Sequence, residues 1–145
     1  MEQQEIFDSC LEGTIHDGKQ VEEPGIHLTA GSVSSLVGRG QTDFGGDEQE
    51  PCEQSTISPT KRAPEDDYGW WELEGGEYRV RFNETITSGS GVFLVVPNDR
   101  ILACGCVMVS VLAASGRIET VLSVPQQGVS IKENARIALL RRLGE

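Results

Sequence analysis

Positive charge is scarce in this sequence: 12 Lys and Arg stand against 23 Asp and Glu, for a formal net charge of −11. A surface that tracks phosphate backbones needs a basic stripe, so no nucleic-acid partner is expected. Long apolar runs are also missing, and nothing approaches the ~20 residues of a membrane helix; no membrane partner is expected. Aromatics make up only 6% of the chain, which predicts an aliphatic core of Val, Ile and Leu. The opening MEQQEIFDSC is acidic and polar, without the basic-then-apolar order of a secretion leader. A cytoplasmic location is therefore expected, with Cys10, Cys52, Cys104 and Cys106 reduced. Cys104-Gly-Cys106 lacks the two-residue spacer and the second pair of a zinc knuckle, and His16 and His27 do not complete a ligand set with these thiols. No metal site is predicted.

What is present divides the 145 residues by texture while leaving them at the length of a single domain. Residues 1–67 are polar, acidic and rich in Gly, Ser and Thr. Residues 68–145 are apolar and periodic and form the expected β core. Within the first part, Ile6, Phe7, Cys10 and Leu11 are spaced for a short amphipathic N-terminal helix inside a lead-in of residues 1–14. Residues 45–67 hold three prolines and many charges, and read as a long acidic surface loop, a natural partner surface.

From Tyr78 the pattern is that of strands. Glu77 to Asn83 alternates polar and apolar, Val92 to Val96 is a continuous β-branched and aromatic run, and Ile118, Thr120, Leu122 and Val124 share one face. Ile101 to Leu112 continues the strand texture beyond a polar break at Pro97-Asn98-Asp99-Arg100, which reads as a turn. The last segment, ENARIALLRRLGE, fits either a helix stripe (Ala135, Leu139, Leu140, Leu143) or a strand face (Ala135, Ile137, Leu139). Composition and periodicity reach an all-β domain and no further.

Four stretches in register resemble archaeal members of the dUTPase and dCTP deaminase superfamily: KQVEEPGIHLTA (19–30), QTDFGG (41–46), WWELEGGEYRVRFNETI (70–86) and IKENARIALL (131–140). The resemblance implies a distorted β-barrel or jelly roll, resolves the last segment as a strand, and implies assembly as a trimer with sites shared between subunits. It also implies a pyrimidine deoxynucleoside triphosphate as ligand. Hydrolysis of dUTP would need water activated by a carboxylate and Mg²⁺ on the phosphates; deamination of dCTP would need a glutamate as proton shuttle.

The motifs that carry this chemistry are altered. The first, usually Pro-Ala-Gly-Val-Asp-Leu-Thr, is here Pro24-Gly25-Ile26-His27-Leu28-Thr29, one residue short and with His27 in place of the acid. The phosphate-binding motif, usually Pro-Arg-Ser-Ser-Leu-Leu-Arg-x-Gly, becomes Pro97-Asn98-Asp99-Arg100-Ile101-Leu102-Ala103-Cys104-Gly105, keeping the frame and losing both arginine positions and both serines. Asp99 puts an acid where a phosphate should sit; two unit charges ~4 Å apart at an effective dielectric near 20 repel by about 4 kcal/mol. The third motif, Ser110 to Arg117, has neither a carboxylate nor an aromatic ring, and Leu112 and Ala113 stand at their positions. The usual Ala-Arg-Ile-Ala-Gln-Leu loses its glutamine to Leu139, and the chain reaches Glu145 without the Arg-bearing tail of trimeric dUTPases.

No catalytic residue is identified. If the chain were an active, divergent dUTP diphosphatase or dCTP deaminase, Glu119 and Asp99 would be the acids left to act. By position, Asn98, Asp99, Arg100, Ser110 and Arg117 would contact substrate, and Mg²⁺ would be needed only then. The expectation is a catalytically inactive paralog without a cofactor, serving as a binding or assembly subunit in deoxynucleotide metabolism. Its partners would be copies of itself or an active relative in a mixed trimer.

Overall fold

The computed structural model describes residues 2–144, and the architecture is mainly antiparallel β. In chain order the elements are α1 (Gln3–Cys10), β1 (Leu11–Glu12), α2 (Asp17–Gln20), β2 (Ile26–Leu36), β3 (Gln54–Ile57), β4 (Trp70–Leu73), β5 (Gly76–Ile86), β6 (Phe93–Pro97), α3 (Asp99–Ala103), β7 (Val107–Met108), β8 (Val111–Ala113), β9 (Gly116–Val124), β10 (Val129–Lys132) and β11 (Arg136–Arg142). The main sheet runs β7-β9-β5-β2-β11-β6-β8, with β1 on β5 and β3 on β2; β10 and β4 form a separate pair. The end strands β7 and β8 are separated in sequence only by Val109 and Ser110. A connection that short holds the two ends of the sheet close together, so the sheet must curl towards a barrel.

Period-2 patterning builds the interior. Tyr78, Val80, Phe82, Glu84 and Ile86 are the buried phase of β5, and Ile118, Thr120, Leu122 and Val124 that of β9. Their apolar members pack with Leu28, Phe93, Val95, Ile137 and Leu140 into one cluster. The N-terminal helix forms as its spacing predicts, burying Ile6, Phe7 and Cys10. Its seat on the barrel is fixed through β1, where Leu11 lies opposite Ile86.

The structure corrects three expectations. First, the core is not confined to residues 68–145: β2, from the polar half, is a central strand between β5 and β11. Its serines hid it, and a bulge between Ala30 and Ser32 breaks its alternation. Gly31 sits at that bulge because a Cβ there would lie 2.7 Å from Asn83 Oδ1. Second, residues 45–67 are not one long loop, because β3 lies within them and pairs with β2, setting Ile57 opposite Val33. Third, Pro97–Arg100 is not a turn between strands and Ile101–Ala103 is not extended, because Asn98 caps the short helix α3. Gly105 follows with φ +81, the left-handed conformation that closes a helix without a Cβ penalty. The last segment is the strand β11, paired with both β2 and β6. Among the described residues no helix is long and apolar enough to cross a membrane.

Candidate functional site

The segment expected to bind phosphate is built around Asn98, which is buried. Its Oδ1 accepts from Ile101 N–H at 3.1 Å, satisfying one of the free amides of the first turn of α3. With the oxygen so placed, Nδ2 faces two acceptors, Arg136 C=O at 3.0 Å and His27 Nδ1 at 3.1 Å. That geometry fixes the imidazole tautomer: Nδ1 accepts, so the ring proton sits on Nε2. His27 Nε2 then donates to Glu22 Oε2 at 3.0 Å. This hydrogen bond holds the exposed Glu22 carboxyl below the usual carboxylate range.

A cleft of about 540 Å³ opens over this arrangement, lined by Glu22, His27, Asn98, Asp99, Arg100 and Arg136 among others. It gathers the first, second and last motif segments of the resemblance, and Leu139, which replaces the expected glutamine, also lines it. Asp99 and Arg100 are exposed. Arg136 points one guanidinium nitrogen, Nη1, at Lys19 C=O, 2.9 Å away. Two carboxylates, Glu22 and Asp99, thus face a space where a triphosphate would need cations. Glu22 is engaged by His27, and among the described residues no group of three His, Cys, Asp or Glu side chains is placed to hold a metal ion.

The other sequence-predicted residues lie outside this cleft. Ser110 is exposed between β7 and β8, and Arg117 is exposed at the start of β9, in register with Thr85. Glu119 faces away from the core and accepts from Arg81 Nε at 2.9 Å, its cross-strand partner. The β8–β9 connection is only Ala114-Ser115, with Gly116 at φ +94, and offers no carboxylate. Of the positional candidates, the structure brings together Asn98, Asp99 and Arg100 and leaves Ser110, Arg117 and Glu119 apart.

One polar cluster escaped the sequence reading. Glu84 is fully buried and accepts from Thr29 N–H at 2.9 Å, Thr29 Oγ1 at 2.6 Å and Gln20 Nε2 at 2.9 Å. Burial pushes its pKa up, and these hydrogen bonds oppose the rise. Gln20 also donates to His27 C=O and accepts from Ile15 and His16 N–H, tying α2 to the barrel. Asn83 adds bonds to Thr29 Oγ1 and to Asn134 Oδ1 at 2.7 Å, and Asn134 holds φ 68. The signal was present in the alternation of β5, where Glu84 falls in the phase of Phe82 and Ile86.

No family model matches the sequence. A protein named probable deoxyuridine 5′-triphosphate nucleotidohydrolase from Aeropyrum pernix is 30% identical over 130 residues, spanning 86% of this chain and 76% of that one. One of the same name from Methanosarcina barkeri is 28% identical over 137 residues, spanning 91% and 77%. Among solved structures, the 2′-deoxycytidine 5′-triphosphate deaminase of Agrobacterium tumefaciens matches 95% of this chain and 43% of its own with a TM-score of 0.62. At 13% identity that likeness shows the fold alone. The curled sheet, the motif framework and relatives aligned over most of their length agree, and the chain belongs to the dUTPase and dCTP deaminase superfamily.

Proposed function

We propose that this chain is a catalytically silent member of the superfamily that acts as a binding or assembly subunit. The observation that carries the reading is the cleft at Asn98. Its buried polar groups bond to one another, its outward groups include two acids, and the β8–β9 connection contributes no base. Individual catalytic groups typically contribute two to four decades of rate, so losing the base, the sugar ring and the phosphate clamps together leaves little to rescue.

Assembly has its own support in the apolar side chains on the seam of the curled sheet. Val107, Val109 and Leu112 are 65%, 50% and 67% exposed along β7, β8 and the link between them. A cluster of uncovered aliphatics on edge strands marks a contact surface, and a homotrimer, or a mixed trimer with an active relative, would cover it. A second reading, a divergent nucleotide hydrolase or deaminase, draws on Arg100 and Arg136, two cations lining the same cleft.

The test is incubation of the pure protein with dUTP and with dCTP plus Mg²⁺, following diphosphate and ammonia, alongside light scattering. The expected result is no turnover and a mass of three chains, lost in the Leu112→Asp variant. Turnover abolished by Glu119→Gln or Asp99→Asn would establish the second reading instead.

A further inference from the structure

Residues 37–53 form an arm that none of the chemistry above uses. Val37 N–H bonds Glu53 C=O, and Gln41 and Glu50 exchange both backbone bonds at 2.8 Å. Side chains stiffen the ladder: Gln41 Nε2 donates to Glu48 C=O, and Thr42 Oγ1 donates to Gln49 Oε1. At the tip, the two carboxylate oxygens of Asp43 accept from Gly46 and Glu48 N–H, both at 3.0 Å. Everything in the arm is thus held in place, yet Phe44 stands at its end with its whole surface in water, at 108% relative exposure. Asp43, Asp47, Glu48 and Glu50 lie near it in the sequence, and no basic residue occurs between Arg39 and Lys61.

A complementary feature lies elsewhere on the same chain. A second cleft, about 600 Å³, runs beside α3 and the β10–β11 turn, with apolar walls from Trp70, Ile131, Ala135 and Ile137. Arg100, Lys132 and Arg136 line it, and it holds neither Glu22 nor Asp99. Its one acid, Glu133, accepts from Gly69 N–H at 2.7 Å. Among the described residues neither Arg100 nor Lys132 is ion-paired. Lys132 Nζ instead lies 5.7 Å from the centroid of the Trp70 ring, and Arg62 stacks on that ring at 3.6 Å. In a chain of net charge −11 such a cationic, aromatic cleft is a local reversal.

We infer that the Phe44 arm of one copy docks in the Trp70–Lys132 cleft of another copy of this chain. A phenyl ring on an acidic arm fits an apolar cleft rimmed by cations, and both halves are carried by the same molecule. The arm's own ladder and the full exposure of Phe44 show that it is not folded back into its own cleft. The contact is head-to-tail, arm into cleft, so each copy both gives and receives one; such contacts close into a ring when the rotation permits. The inference rests on the assembly reading above and supplies one of its joints.

The test places p-benzoylphenylalanine at position 44 and irradiates an equal mixture of ¹⁵N-labelled and unlabelled protein. Crosslinks between copies, mapped to peptides carrying Trp70, Cys104 or residues 131–137, are expected. Phe44→Ser and Lys132→Glu, both surface changes, should each weaken self-association by about tenfold or more in sedimentation equilibrium. An assembled mass with crosslinks confined to one copy, mapped to other surfaces or made only to a foreign protein would overturn the arm contact and leave the assembly reading standing. So would an assembly indifferent to both substitutions. A monomer at every concentration would remove both.

Discussion

Two polar clusters lie side by side in this molecule, and the contrast between them explains what the cleft can do. The inner one, around Glu84, sits among apolar strands and gathers neutral donors onto one buried carboxyl group. The outer one, around His27 and Asn98, lies where the family resemblance expects phosphate chemistry, yet is joined up in the same way. They share Gln20, whose amide donates to both Glu84 and His27 C=O. Among the described residues the only buried side-chain polar atoms without partners are Gln3 Oε1 and Arg79 Nε, in neither cluster. The outer cluster is part of the architecture, and Asp99 and Arg100 are the charged side chains of its second motif that remain turned to water.

The strongest way to break the comparison is to empty the inner cluster. Glu84→Leu strands Thr29 N–H and the Gln20 amide inside the barrel, and should cost about 3 kcal/mol of stability, read from the urea midpoint. A loss below about 1 kcal/mol would show that the network is not holding the fold. The same residue gives a pH signature. Its folded pKa is raised above 4.5, so the native state holds its proton at pH values where the unfolded chain has released it. Its contribution is fully present below the ordinary carboxylate range and is lost as pH rises through the raised value. Measured against Glu84→Gln, the wild-type chain should therefore gain relative stability as pH falls from neutral; a difference flat with pH would contradict the buried carboxyl.

The outer cluster should answer to Asn98→Ala. That change removes the cap on α3 and leaves Arg136 C=O and His27 Nδ1 without their donor. About 2 kcal/mol is expected, smaller than the inner loss because water can reach part of the site. A neutral result would mean that Asn98 is free for a ligand after all. Glu119→Ala sits lower still, since its bond to Arg81 joins side chains 30% and 44% exposed. Such a pair is worth about 0.5 kcal/mol.

How much of this was legible depended on whether the period was kept. The strands β5 and β9 alternate cleanly, so their faces could be read directly, and α1 showed its stripe. β2 was hidden because Gly31 and the bulge beside it shift its phase and because Ser32, Ser34 and Ser35 carry no apolar signal. α3 was hidden because Ile101 and Leu102 look equally at home in a strand; the overlooked cue was Asn98 before Asp99, a capping residue followed by an acid in the first turn. For the site, the altered residues of the motif segments could be read directly from the sequence. The bond between His27 and Asn98 joins residues 71 apart and leaves no local trace.

The smallest effect is also the sharpest for function. Asp99→Ser restores one hydroxyl at the phosphate motif and removes its acid, at an exposed position that takes no part in the Asn98 network. Stability should move by less than about 0.5 kcal/mol, so any change in activity would belong to the chemistry. None is expected with dUTP and Mg²⁺, because relieving repulsion at the phosphates lets a ligand approach without supplying anything to activate water. Ala113 still stands where a carboxylate belongs, and Glu119 remains held by Arg81 on another face of the sheet. Tighter binding of a nonhydrolysable triphosphate, seen by calorimetry without diphosphate release, would place the cleft as a former nucleotide site with its chemistry removed. Diphosphate release by this single variant would mean that a base is present among residues read here as structural.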